Sequence, residues 1–191
     1  MPGGRALLLF LPFLVACPGP LSRRESGPVT LQVPGEYVHA GSGLRFPVAT
    51  GSFSRENIKG YDEARTNIGV GYNCLHPDHL MAATVFVYPS TAPAQEYREC
   101  KEALMGAYPD AVAVEESAAE FTRGGQSIPG RRGTFDYEMV FAGRLQPVRS
   151  QLIVITAWAG RWTIKYRMTY PRAADPTSDG TSILELPLES R

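Results

Sequence analysis

The sequence predicts an α+β fold, a twisted antiparallel sheet with one helix after its first hairpin and a short C-terminal helix. Three observations predict it. Most of the chain after residue 28 alternates apolar and polar side chains with period two, the mark of strands. One stretch, 94–108, instead spaces its apolar residues by three and four, the mark of an amphipathic helix. Tight pairs such as Ala142-Gly143 and Ala159-Gly160 separate successive strands, which makes neighbours antiparallel.

Taken in order, 29–33 and 44–47 are short strands, punctuated by Gly35, Gly41 and Gly43. Residues 53–61 form a further extended stretch. In 66–74, Ile68, Val70, Tyr72 and Cys74 share one face, and Gly69, Gly71 and Asn73 share the other. A turn at 75–79 joins this strand to 81–88, completing a hairpin. Ser90, Thr91 and Pro93 open the helix, because a hydroxyl cap and an early proline suit a helix start. Its stripe is Tyr97, Cys100, Leu104 and Tyr108, and Pro109 ends it. Strands follow at 112–122 and 134–141, the latter with Phe135, Tyr137, Met139 and Phe141 on one face. Residues 151–158 are apolar on both faces, as expected of a central strand covered on both sides. Residues 161–170 alternate again, with Trp162, Ile164, Tyr166 and Met168 inward and Thr163, Lys165 and Arg167 outward. The last short helix is 175–186.

The 191 residues hold 19 basic and 19 acidic side chains, and 43% are hydrophobic. That suits one domain of about 160 residues, at 29–191, with a sizeable core. A zero net charge excludes the basic signature of a nucleic-acid binder. The first residues place Arg5 before an apolar run, 6–16, which is an export signal at 1–16. Pro12 interrupts the run, which is too short for the ~20 residues of a membrane span. Residues 17–28, rich in Pro, Gly, Ser and charge, have a tether's composition.

Leu14-Val15-Ala16-Cys17 resembles the lipobox of bacterial lipoproteins. The resemblance covers these four residues and the apolar run before them. It implies that the Cys17 thiol takes a diacylglyceryl group and that the signal is cut just before it. The mature chain would then sit in the cell envelope, outside the cytoplasm, with the membrane as its partner through several acyl chains. Arg5 is the only cation ahead of the run, where the family more often has two. An ordinary secretory signal cut near Ala16 is the alternative. The inferred order of elements resembles the PsbP-like fold, an α/β/α sandwich of small exported or accessory proteins. The segment 68–73 followed by 83–89 is similar to a recurring segment of uncharacterised bacterial exported proteins, which implies no function.

Four sets of residues are candidates for chemistry. Cys74 and Cys100 point into one layer and form an even pair in an oxidising compartment, which suggests a disulfide. Their heights disagree, since the helix climbs only ~9 Å to Cys100 while the strand climbs ~20 Å to Cys74. A pair of buried thiols is the alternative. Cys74, His76, Asp78 and His79 are all metal-ligand types within six residues, with His39 the only other histidine. An exposed polar hairpin turn has the same composition. Tyr61, Tyr72, Tyr88, Tyr137, Trp158, Trp162, Tyr166 and Tyr170 suit either a ligand-binding face or cross-strand packing. Arg131, Arg132, Arg144 and Arg149 suit an anionic partner or a solvated loop and strand edge.

No nucleophile elbow, zinc-protease helix, phosphate loop or dinucleotide fingerprint is present. The expectation is therefore a lipid-anchored envelope protein, non-catalytic and without a cofactor, that binds an envelope protein or small ligand or supports an assembly. The alternative is an exported metal-binding protein or enzyme built on the Cys74/His76/His79 turn.

Overall fold

The computed structural model describes residues 27–76, 79–90, 92–123, 126–158 and 161–174. The expected signal, Cys17, the tether up to residue 26 and the helix expected at 175–186 lie outside the described residues. In chain order the elements are β1 (Val29–Thr30), β2 (Tyr37–Val38), β3 (Arg45–Phe46), β4 (Ala49–Thr50), β5 (Phe53–Gly60), β6 (Ile68–His76), β7 (His79–Pro89), α1 (Pro93–Ala107), β8 (Val112–Arg123), β9 (Gln126–Phe141), β10 (Arg144–Trp158) and β11 (Trp162–Pro171).

The path β1-β5-β6-β7-β11-β10-β9-β8, with β4 added beside β5, makes a nine-stranded sheet, while β2 and β3 pair separately. All pairings are antiparallel. The order has one long jump. After β7 the chain crosses the sheet through α1 and enters at the far edge as β8. It then meanders back through β9 and β10 until β11 closes against β7. The crossover lays α1 on one face of the sheet, where Tyr97, Cys100 and Leu104 bury its apolar stripe.

This architecture corrects the expected class. Among the described residues the protein is nearly all-β, with 62% in strands and 10% in its one helix, rather than α+β. A sandwich with helical layers on both faces, as in the PsbP-like fold, does not describe it. The face opposite α1 is covered by the N-terminal segment, in which Leu31, Val33, Tyr37, Leu44 and Phe46 pack on Phe53, Tyr72, Ile164 and Tyr166. Arg55 ties that segment down, donating to the carbonyls of Phe46 and Val33 at 2.7 Å each and of Gly35 at 2.6 Å. Strands β9 and β10 also begin well before the stretches 134–141 and 151–158 expected from alternation. Gly130-Arg131-Arg132-Gly133 is therefore strand, not loop. The helix starts without the expected hydroxyl cap: Ala92 is its N-cap and makes no side-chain cap bond.

Two hydrophobic layers result. On the N-terminal face lie Ile68, Val70, Tyr72 and Cys74 of β6 with Trp162, Ile164, Tyr166 and Met168 of β11. On the helix face lie Phe135, Tyr137, Met139 and Phe141 of β9 with Val148, Leu152 and Val154 of β10. Cys74 belongs to the first layer and Cys100 to the second, so the sheet stands between them and no disulfide joins them. The expected pairing fails because β6 turns its Cys74 face toward the N-terminal segment, not toward α1. Alkylation of the denatured chain without reductant is expected to label both residues, and protection of both would restore the bond.

Close approach of α1 to β9 depends on Gly133. A Cβ there would lie 2.0 Å from Tyr97 Oη. That hydroxyl donates to Glu116 at 3.0 Å, and Lys101 reaches the same carboxylate at 2.6 Å. Gly133→Ala is expected to lower the unfolding free energy by about 1–3 kcal/mol. Tyr97→Phe added to it is expected to recover part of that loss in a urea-denaturation cycle. Strictly additive effects would show that the two positions do not meet.

Candidate functional site

The helix-face residues of β11 are not outward, as alternation suggested, but buried. Cross-strand register sets Thr163 beside Tyr88, Lys165 beside Phe86 and Arg167 beside Thr84 on β7. On the other side it sets Lys165 beside Val154 and Arg167 beside Leu152 on β10. Lys165 is 3% exposed and Arg167 6%. Two steps along one strand put their Cα atoms about 7 Å apart. From above, α1 adds Glu96 in its first turn and Tyr108 at its C-cap.

Aromatic rings, not carboxylates, surround the two cations. Lys165 Nζ sits 4.1 Å from the Phe86 ring centre and 5.9 Å from that of Tyr88. The Arg167 guanidinium lies 5.9 Å from the Tyr108 ring, which stacks on Tyr137 at 4.2 Å. Arg167 Nη2 donates to Tyr137 Oη at 2.9 Å, and a hydroxyl chain continues to Ser150 at 3.2 Å and on to Thr169 at 2.7 Å. Arg167 Nε is buried with no hydrogen-bond partner. Glu96, the buried carboxylate among the described residues, accepts from Tyr88 Oη at 2.8 Å. No ion pair reaches Lys165 or Arg167 among the described residues.

The charge balance is therefore two buried cations against one buried anion. Desolvating an ion costs several kcal/mol even after relaxation. A cation–π contact returns only about 0.5–2 kcal/mol. The arrangement is poorly compensated as it stands, and an anion placed between α1 and β11 would complete it.

The residues singled out from sequence do not assemble elsewhere. Cys17 lies outside the described residues. His76 and His79 pair in register at the hairpin tip of β6 and β7, whereas Cys74 points into the core. His39 packs edge-on against Trp162, 4.9 Å between ring centres, and Trp162 pairs with Pro89 at the other end of β7. Ten strand residues, roughly 33 Å, separate the two ends. The convergence that metal binding at the Cys74/His76/His79 turn would draw from His39 does not occur. No group of three or more His, Cys, Asp or Glu side chains suited to a metal ion is found among the described residues. The aromatic set divides: Tyr72, Trp162, Tyr166 and Tyr170 fill the N-terminal layer, and Tyr88 and Tyr137 serve the cationic site. The arginines divide as well. Arg149 grips Asp136 with two bonds of 2.7 and 2.8 Å, and Arg131 lies over Tyr97 at 5.3 Å.

Sequence reasoning missed Lys165 and Arg167 as site residues because it set them facing solvent. A usable signal was present: β10 is apolar on both faces, so its hairpin partner β11 sits at the sheet centre too. No protein-family model matches the chain, and no curated protein matches it either.

A second buried polar group, His39, is structural. Its Nε2 donates to the Arg65 carbonyl at 3.0 Å. Its Nδ1 accepts from the Ser42 backbone at 3.3 Å and lies 2.7 Å from Ser42 Oγ, which fixes the neutral tautomer. Burial pushes its pKa below the ordinary 6.5, against the smaller opposing effects of the Arg65 carbonyl and the Asp62 charge. The unfolded chain then binds a proton that the folded chain refuses. Stability from this group is complete above pH ~6.5 and is lost as pH falls from there toward the lowered folded value. Urea midpoints from pH 7.5 to 5 are expected to fall with a steeper slope in the parent than in His39→Gln. Equal slopes would remove the assignment.

Proposed function

We propose that this chain is a lipid-tethered, non-catalytic binding protein of the bacterial envelope, with its ligand site at Lys165 and Arg167 between α1 and β11. The observation that carries the binding reading is the pair of buried cations with no ion pair among the described residues, one of them holding an unsatisfied Nε–H. The anchor reading rests on Leu14-Val15-Ala16-Cys17 and on the tether composition that follows. No helix among the described residues is long and apolar enough to cross a membrane. The acyl chains on Cys17 would supply the attachment.

Two experiments test the two halves. Cys17→Ser is expected to move the protein from the membrane fraction to the soluble fraction, and undiminished membrane attachment would defeat the anchor. Lys165→Met is expected to stabilise the ligand-free protein, by about 1–4 kcal/mol, because a buried charge retained for binding is replaced by hydrocarbon of similar length. A clear loss of stability would mean that Lys165 is an ordinary structural residue and would remove the binding site.

A further inference from the structure

Resting on that reading, we propose that the site takes a small organic anion, with one carboxylate carried on a flat apolar body. Charge sets the number. Lys165, Arg167 and Glu96 are the buried charged groups of this face among the described residues, and their formal charges sum to a single positive charge for the ligand to neutralise. Geometry sets the head group. Arg149 shows how this chain pairs a guanidinium: its Nε and Nη2 edge grips both oxygens of Asp136. Arg167 holds the corresponding edge with Nη2 on Tyr137 and Nε–H buried and unused. A carboxylate oxygen on that Nε–H gains a charge-assisted hydrogen bond with no loss of an existing one. Lys165 is the next residue along the strand on the same face, its Cα about 7 Å from that of Arg167, and adds a second positive charge to that face.

The surroundings set the body. Phe86, Tyr108 and Tyr137 present ring surface around the cations, and the Tyr137 hydroxyl is already engaged with Arg167 and Ser150. An apolar, planar group fits rings of this kind by stacking or edge contact. Inorganic phosphate, which is more highly charged and more strongly hydrated, would have to be desolvated among aromatic walls.

The test is calorimetric titration of the full chain in nonionic detergent at low salt. Benzoate is the probe, and its uncharged isostere benzamide and inorganic phosphate are the comparators. Benzoate is expected to bind saturably, with both comparators weaker by about tenfold or more. Lys165→Met and Arg167→Gln, each checked for a native circular-dichroism spectrum, are expected to weaken benzoate by about tenfold or more. Absent benzoate binding, equal binding of benzamide, tighter binding of phosphate, or undiminished binding by a folded Lys165→Met chain would each overturn the ligand assignment. The Lys165→Met stability measurement separates the two levels of failure. If benzoate fails and Lys165→Met is stabilised, the ligand class is wrong and the site remains. If Lys165→Met is destabilised, the site and the ligand class fall together.

Discussion

Burial of β11 on both faces is the constraint from which the rest of this structure follows. The strand lies between β7 and β10 in the middle of the sheet, and nine of its ten residues are buried. One face is hydrocarbon and aromatic, and it meets the N-terminal segment that Arg55 straps down. The other carries Thr163, Lys165, Arg167 and Thr169 and faces the side crossed by α1. The crossover makes this unavoidable. A chain that leaves β7, passes over the sheet and returns by a meander must insert its last strand beside β7. The polar edge of that strand then has nowhere to go but inward.

Two partly buried carboxylates elsewhere are paired with cations. Asp136 is gripped by Arg149, whose hydrogen bonds hold the carboxyl below its usual range. Glu116 takes Lys101 and the Tyr97 hydroxyl, and the Lys101 bond lowers its pKa likewise. Each of these pairs joins neighbouring elements, β9 to β10 and α1 to β8. Lys165 and Arg167 depart from that pattern at the most deeply buried place in the sheet. Rings and one phenolic oxygen are what they have, and the energetic return from those is smaller than the desolvation they incur. The surrounding layers of buried aromatic and aliphatic side chains, each contributing about 1.5–3 kcal/mol when fully buried, sustain the imbalance.

Much of the element order was legible because it depends on local periodicity. The β6–β7 hairpin, the Tyr97/Cys100/Leu104 stripe of α1, and the alternation in β9 and β11 all carry their period in the chain itself. The two-residue strands β2 and β4 are too short to show one. The early parts of β9 and β10 were hidden by Pro129, Gly130, Gly133 and Pro147, which read as loop. Two of those glycines are there for packing: Gly130 lies under Phe121 and Gly133 under Tyr97. Alternation distinguishes the two faces of a strand but does not say which of them meets the helix. That one ambiguity misplaced Cys74 against Cys100 and turned Lys165 and Arg167 toward solvent. The layer opposite α1 is irregular chain with a small hairpin, β2–β3, and no periodicity in the sequence announced that it would cover the sheet.

The same rigidity that makes the cations expensive makes them useful. Lys165 and Arg167 are held by ladder pairing on both sides of β11, so their spacing is a property of strand geometry, not of a flexible loop. Arg167 is fixed further by the relay through Tyr137 and Ser150 to Thr169, which spans β9, β10 and β11. Side chains already oriented do not have to be reorganised when an anion arrives, and the conformational penalty of binding is correspondingly small. On this argument the fold has done in advance the unfavourable part of recognition, and the unused Nε–H of Arg167 is the measure of what it has left for a ligand to complete.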